Sequence, residues 1–177
     1  MKKKIYMLAL TVALACTAIG CGKKETKEDP TAALKSDIVE FVNDELPAIK
    51  SQRDSAISSY NAYFSSEDME LDAFLNDLKN TALPGMESYI EQLTAIEVST
   101  DEVAALKDLY LQSSRKQYEA MRLVVSAIES ENPDYLTQAD LLIAESESLL
   151  GQYEEQLKTL ASDNGITING SFTSTAQ

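Results

Sequence analysis

The most telling absence in this chain of 177 residues is histidine, which does not occur at all. Histidine is the commonest general base in enzymes, and it supplies metal ligands in the di-iron bundles of ferritin-like proteins. Cysteine is scarce too, because both cysteines, Cys16 and Cys21, stand within the first 21 residues. The rest of the chain therefore has neither a disulfide nor the thiolates that zinc sites and cysteine nucleophiles require.

Sequence motifs for catalysis and for phosphate binding are missing as well, and the chain holds only six glycines. It has no Walker loop, no dinucleotide-binding turn, no G-x-S-x-G elbow and no D-x-D-x-D-G calcium loop. The 29 acidic residues include no pair whose spacing singles it out for acid–base chemistry. We expect a protein that is not an enzyme and that holds no metal or cofactor.

The N-terminal segment has the order of a secretory signal peptide. Three lysines at positions 2–4 precede an uncharged apolar run from Ile5 to Ile19. This run is shorter than the roughly 20 residues that a transmembrane helix needs. The segment therefore favours export over a membrane-spanning anchor.

The apolar run ends in Ala18-Ile19-Gly20-Cys21, which resembles the lipobox of bacterial lipoprotein precursors. The resemblance covers about the first two dozen residues, and Ala18 is a less usual residue at its position. It implies that residues 1–20 are removed and that the sulfur of Cys21 carries a diacylglycerol. Cys16 is a rival lipidation site, but its apolar run is shorter and the bulky Leu14 stands two residues before it. The remaining alternative is an uncleaved anchor or a buried helix.

Lipidation of Cys21 would attach the protein to a membrane and so determine its location in the cell. Two acyl chains hold a protein on a bilayer stably, whereas a single chain does not. Removal of residues 1–20 takes away three lysines and no acids, which changes the net charge from −14 to −17. A domain with such a negative net charge is repelled by nucleic acid, so we expect no nucleic-acid partner. The resemblance implies the outer face of the cell membrane, or the periplasm or outer membrane of a cell with two membranes, where Gly22 fits outward sorting.

Residues 21–29 form a Lys-rich linker between the anchor and the body. Lys23, Lys24 and Lys27 either attract an anionic lipid surface or belong to a polar spacer.

From Pro30 onward, apolar residues recur every three or four positions, which predicts helices almost throughout. Asp29-Pro30 and Asn132-Pro133 are typical helix starts, and Asn164-Gly165 is a typical stop. Ser99 and Glu102 predict a capping box at another start. These signals separate four segments, 29–64, 67–98, 100–131 and 133–162.

Four segments of about 30 residues joined by short turns must alternate in direction. The predicted fold class is all-α, an antiparallel up-down-up-down four-helix bundle over residues 30–163 with long helices. Two of these helices are expected to be kinked, at Pro47 and at Pro84. In the tail, residues 164–177, Asn169-Gly170 predicts either a short β-hairpin or, because isolated hairpins are marginal, a frayed end.

Pro84 lies inside an apolar period that runs from Leu71 to Ile96, so it is expected to bend a helix without ending it. Counting residues outward from turns at 65, 98 and 132 places a weak point of each helix at one height, which we call the waist. Its members are Pro47, Pro84, Ser113 with Gln117, and Gly151. The waist is either a coherent bend of all four helices or a polar pocket, and the pocket interpretation predicts a cavity lined by Ser113 or Gln117.

The end of the bundle away from the lipid, which we call the tip, collects four aromatic residues among many acids: Tyr60, Tyr63, Phe64 and Tyr135. They either cover the end of the core or form a partner-binding surface. Two functions follow from these features. One is a membrane-anchored module that binds an envelope protein, and the alternative is a binder of a small molecule or ion at the waist.

Overall fold

The computed structural model describes residues 29–65 and 70–168, apart from the side chains of residues 63–65. Every element in these two ranges is helical and none is a strand, so the all-α prediction is confirmed. The predicted signal peptide, Cys21, most of the linker and the Asn169-Gly170 turn lie outside the described residues. Within them, no helix is both long enough and apolar enough to cross a bilayer.

The described helices form the four predicted segments. The first consists of α1 (Pro30–Val39), a π-helical turn (Glu40–Glu45) and α2 (Leu46–Ser65). The second consists of α3 (Leu71–Asp77), another π-helical turn (Leu78–Ala82) and α4 (Leu83–Ala95). The third and fourth are single helices, α5 (Asp101–Ser130) and α6 (Asp134–Asn164).

Both interior prolines directly follow a π-helical turn. Pro47 is the second residue of α2 and Pro84 is the second residue of α4, and the chain remains helical on both sides of each. In the turns before them, the N–H groups of Leu46 and Leu83 bond to carbonyls five residues back. A proline ring collides with the carbonyl four residues earlier in an α-helix, and a widened turn relieves this collision.

Two of the predicted helix boundaries have the expected caps. The Asp29 carboxylate accepts the Thr31 N–H at 3.1 Å, with Pro30 at the first helical position. The start of α6 lies one residue later than predicted, with Pro133 as its N-cap residue, although the Asn132 amide oxygen accepts the Asp134 N–H at 3.0 Å. Gly165 ends α6 with a φ of 63°. Local sequence thus sets these boundaries without help from distant residues.

The capping box predicted at Ser99 and Glu102 is wrong. Helix α5 begins at Asp101, and its N-cap residue Thr100 makes no capping bond with its own side chain. The buried carboxylate of Asp37, in α1, instead binds the two residues that precede the helix. It accepts the N–H of Ser99 at 3.0 Å, the N–H of Thr100 at 2.8 Å and the Thr100 hydroxyl at 2.5 Å. A carboxylate satisfies these donors better than a serine hydroxyl because its bonds are charge-assisted.

Two clusters of buried side chains form the core. The larger one reaches from Ile38 and Val103 to Ala56 and Leu150, towards the end at which residues 96–100 join α4 to α5. The smaller one includes Phe74, Leu78, Ala82, Ala120, Met121, Val124, Val125 and Ala139, towards the other end. The start of the tail covers the larger cluster, since Ile166 and Ile168 pack against it.

Candidate functional site

A pocket of about 220 Å³ lies between α2, α5 and α6, at the boundary between the two core clusters. Its apolar lining consists of Ile57, Met121, Ile143 and Leu150. Its polar lining consists of Arg53, Tyr60 and Asn61 on α2, Gln117 on α5, and Asp140, Ser146 and Glu147 on α6. Apolar walls with a few converging polar groups are typical of small-molecule sites.

Helical spacing brings these residues to one place. On α2, Ile57 and Asn61 follow Arg53 by one and two turns. On α6, Ile143, Glu147 and Leu150 follow Asp140 at intervals of three or four residues. Residues spaced in this way share one helix face, so each helix presents a single mixed stripe to the pocket.

Arg53 is the cation in the pocket, and it has no ion-pair partner among the residues that the structure describes. The half-buried guanidinium donates from Nη2 to the Gln117 Oε1 atom at 3.4 Å, a long hydrogen bond. Its Nε atom is buried without a hydrogen-bond partner. None of the ion pairs within the described residues includes Arg53. A buried, unsatisfied donor is costly, and a negative charge beside the guanidinium would offset part of that cost.

The α6 wall of the pocket carries the opposite charge. Asp140 and Glu147 are exposed there, and neither takes part in an ion pair within the described residues. The charge of Asp140 reaches across to α2, where burial and then this carboxylate raise the pKa of the Tyr60 phenol. The pocket therefore has a basic wall on α2 and an acidic wall on α6.

Ser113 and Ser146 bond reciprocally behind the pocket. Each hydroxyl donates to the other residue's backbone carbonyl at 3.0 Å, and the two hydroxyl oxygens lie 2.8 Å apart. Both residues are buried. Their small size allows α5 and α6 to approach closely, and the reciprocal bonds satisfy polar groups that would otherwise be costly to bury.

Of the residues predicted at the waist, the structure brings only some together. Gln117 lines the pocket, and Ser113 bonds to Ser146, which also lines it. Pro47 and Pro84 are exposed, and neither lines the pocket. Gly151 is exposed as well, and a Cβ atom added to it would meet no atom within 4 Å.

The single height predicted for the waist is wrong. A Cβ atom added to Gly85 would lie 3.5 Å from the Ala56 Cβ, so the Pro84 level meets Ala56, about 13 Å along the helix from Pro47. Likewise Ser113 faces Ser146, five residues before Gly151. The predicted height of the waist depends on a tight turn at residue 65 and on an even rise per residue along each helix. In fact the next helix begins only at Leu71, π-helical turns interrupt the rise, and the serine contact sets the level of α5 on α6.

The predicted tip is only partly within the described structure. The side chains of Tyr63 and Phe64 lie outside it. Tyr60 is half-buried, packs against Phe74 with ring centroids 6.2 Å apart and belongs to the pocket. Tyr135 is half-buried. These two aromatics are thus neither fully exposed nor fully covered.

Sequence reasoning missed Arg53, the residue that distinguishes the pocket. It stands four residues after Ile49 and three before Ala56, inside the apolar stripe of the first segment. A lone basic residue within an apolar stripe is a signal that could have identified it, since unpaired arginines are rarely buried.

Within residues 29–65 and 70–168, no group of three or more acidic, histidine or cysteine side chains is arranged to hold a metal ion. The chain matches no protein-family model, no curated protein and no solved structure.

Proposed function

We propose that this chain is the precursor of a lipid-anchored, extracytoplasmic protein whose helical bundle binds a small molecule in the pocket between α2, α5 and α6. The observation that carries the proposal is the guanidinium of Arg53, half-buried in this pocket without an ion-pair partner. Burying part of a charged group without a partner lowers the stability of the fold, whereas the same group is useful for binding an anion. Sequence features alone left this function as the alternative, and the pocket now favours it.

The proposed fold is the up-down-up-down bundle. Three sets of contacts between consecutive segments support alternating directions. In each set, residue numbers rise along one segment while those of their partners fall along the next, as in antiparallel helices. These pairs are Gln52–Gln92 and Ala56–Gly85, Lys79–Glu129 and Thr94–Lys107, and Ser113–Ser146 and Lys116–Glu145. The π-helical turns before Pro47 and Pro84 support a bend of the helix at each proline.

Binding in the pocket is tested by a library of small polar fragments, with chemical shifts of the protein followed by NMR. Ile143→Trp fills the pocket from α6, whereas Leu141→Trp adds the same bulk at a side chain that is 62% exposed on the same helix. We expect fragments to shift signals of Gln117 and Ile143, and Ile143→Trp alone to abolish binding. Fragments that bind equally to both variants, or a library without hits, would count against the proposal.

The proposed anchor is tested separately, by labelling cells with a palmitate analogue. Cys21→Ser is expected to abolish labelling and to release the protein from membranes, whereas Cys16→Ser should leave both unchanged. Labelling that follows Cys16 would contradict the predicted cleavage site.

A second candidate function is protein binding at the tip, and two exposed leucines favour it. Leu71 and Leu136 are 47% and 44% exposed at the first turns of α3 and α6. The Lys79–Glu129 ion pair, with N and O atoms 2.6 Å apart, holds the start of the second segment near the end of the third. Photocrosslinkers at positions 63 and 117 in intact cells separate the two functions. Protein adducts at position 63 alone would support the tip.

A further inference from the structure

We infer that the pocket takes a small zwitterion, a molecule of amino-acid size with one carboxylate, one ammonium group and a short apolar body. This inference rests on the proposed function, since it names the ligand class of the same pocket.

The carboxylate is assigned to Arg53 and Gln117. The Arg53 Nε atom is buried without a hydrogen-bond partner, and Nη2 makes one hydrogen bond within the described residues, at 3.4 Å to Gln117 Oε1. That bond uses the amide oxygen of Gln117 and leaves its NH₂ group as a donor beside the guanidinium. Planar guanidinium donors match the geometry of a carboxylate. In a chain with a net charge of −14, an arginine without an acidic partner is most simply explained by an anion from outside.

The ammonium group is assigned to the acidic wall. Asp140 and Glu147 lie two turns apart on the same face of α6, about 10 Å from each other along the axis. A ligand with only a carboxylate would meet two like charges beside the one guanidinium, which is unfavourable. A ligand with only an ammonium group would leave Arg53 unsatisfied. A zwitterion satisfies both walls.

The volume of the pocket and its apolar lining limit the body of the ligand between its two charged groups. The pocket volume of about 220 Å³ is below the roughly 300 Å³ at which pockets for drug-sized ligands begin. Ile57, Met121, Ile143 and Leu150 offer apolar contact over a short length. A short apolar body fits this space.

Calorimetry on the detergent-solubilised full chain compares four probes. Leucine and 5-aminopentanoate carry both charges at different separations, 4-methylpentanoate carries only the carboxylate, and 3-methylbutylamine carries only the ammonium group. We expect at least one zwitterion to bind about tenfold more tightly than either singly charged probe, as one charge-assisted hydrogen bond provides.

Charge-neutral variants assign the two ends. Arg53→Gln should weaken binding of the zwitterion about tenfold and leave 3-methylbutylamine unaffected, while Arg53→Lys should retain part of the affinity. Arg122→Gln is the matched control, since Arg122 is exposed on α5 and faces Glu119 at 3.4 Å. Asp140→Asn with Glu147→Gln removes the other end, and these exposed sites carry little risk to folding.

Three results would overturn the inference. A singly charged probe that binds as tightly as both zwitterions, and that Ile143→Trp excludes, would refute the ligand class while leaving the pocket's function intact. Failure of all four probes alongside hits from the fragment library would have the same meaning. Failure of the probes and of the library together would overturn the proposed function as well.

Discussion

The Asp37 carboxylate accepts both the backbone N–H and the hydroxyl of Thr100, at 2.8 and 2.5 Å. The carboxylate also accepts the N–H of Ser99, so three donors at the start of α5 depend on one side chain more than 60 residues earlier. Asp37 is only 6% exposed. A buried carboxylate with this many donors fixes the relative position of α1 and α5.

Asp37→Ala is therefore expected to lower the free energy of unfolding by about 2–3 kcal/mol, because three partly buried donors lose a charged acceptor. Chemical denaturation measures the change. Asp44→Ala, at an exposed position of the same segment, is the control and should change stability by less than about 0.5 kcal/mol. Equal effects of the two variants would show that Asp37 acts only through its charge.

The Ser113–Ser146 pair predicts coupling between α5 and α6. Each single change to alanine leaves polar groups of the partner buried without their bond, at a cost of about 1 kcal/mol. The double variant replaces both and should cost less than the sum, with a coupling energy of about 0.5–1.5 kcal/mol in a double-mutant cycle. Strict additivity would mean that the two hydroxyls contribute independently.

Two glycines predict opposite responses to alanine. Gly151 lies within α6 with open space around its Cα, so Gly151→Ala should stabilise the protein by about 0.5–1 kcal/mol. Gly165 has a φ of 63°, which alanine adopts only with strain, so Gly165→Ala should destabilise it by about 1 kcal/mol. Thermal unfolding of the two variants checks the signs, and the same sign in both would refute the prediction.

Glu131 occupies the position after α5 that Gly165 occupies after α6. Its φ is 52°, and the N–H of the next residue, Asn132, bonds back to the Ala127 carbonyl at 3.1 Å. Glu131→Gly should therefore stabilise the protein by about 0.5–1 kcal/mol by removing strain. Glu131→Ala removes the same carboxylate and keeps the strain, so it should show no such gain in denaturant unfolding.

Buried tyrosines predict a loss of stability at alkaline pH. Burial, and then the neighbouring Tyr110, raise the pKa of Tyr89 and of Tyr153 above the ordinary value of 10. The unfolded chain therefore releases these protons first, and the stabilisation is complete below pH 10 and is lost as the pH rises above it. Each tyrosine should cost up to about 1.4 kcal/mol per pH unit there.

Denaturant unfolding between pH 8 and pH 11.5 measures this slope. Tyr89→Phe should flatten it, while Tyr118→Phe, at a partly exposed position, should leave it unchanged. A slope that is identical in all three proteins would contradict the assignment to Tyr89.

The sequence predicted the helices well because their signals are local. Apolar spacing, Asp29 with Pro30 and Gly165 all act within a few residues, and the structure has the corresponding elements. The bonds from Ser99 and Thr100 to Asp37 could not be predicted, because they depend on which helices become neighbours. The prediction that Ser113 lies opposite Gly151 was wrong for a related reason. Small shifts at each connection add up along long helices, and Ser113 lies opposite Ser146 instead.

The same limit applies to the pocket. The pocket interpretation of the waist named Gln117 as a lining residue, and Gln117 lines the cavity between α2, α5 and α6, although the predicted single height is wrong. That Arg53 lies opposite Asp140 and Glu147 could not be predicted, because no local signal in α2 or α6 indicates that these helices pack together.

If the proposed lipid anchor holds the chain at its N-terminal end, the Asp37 bonds would also bear mechanical tension. Tension would enter α1 at Pro30, and Asp37 and Ile38 are the first fully buried residues it meets. About two turns of α1 can peel away before these residues are reached. The bonds to Ser99 and Thr100 would then share the pull side by side. Arg53 lies 16 residues beyond Asp37, so the pocket would keep its shape while the first turns of α1 yield.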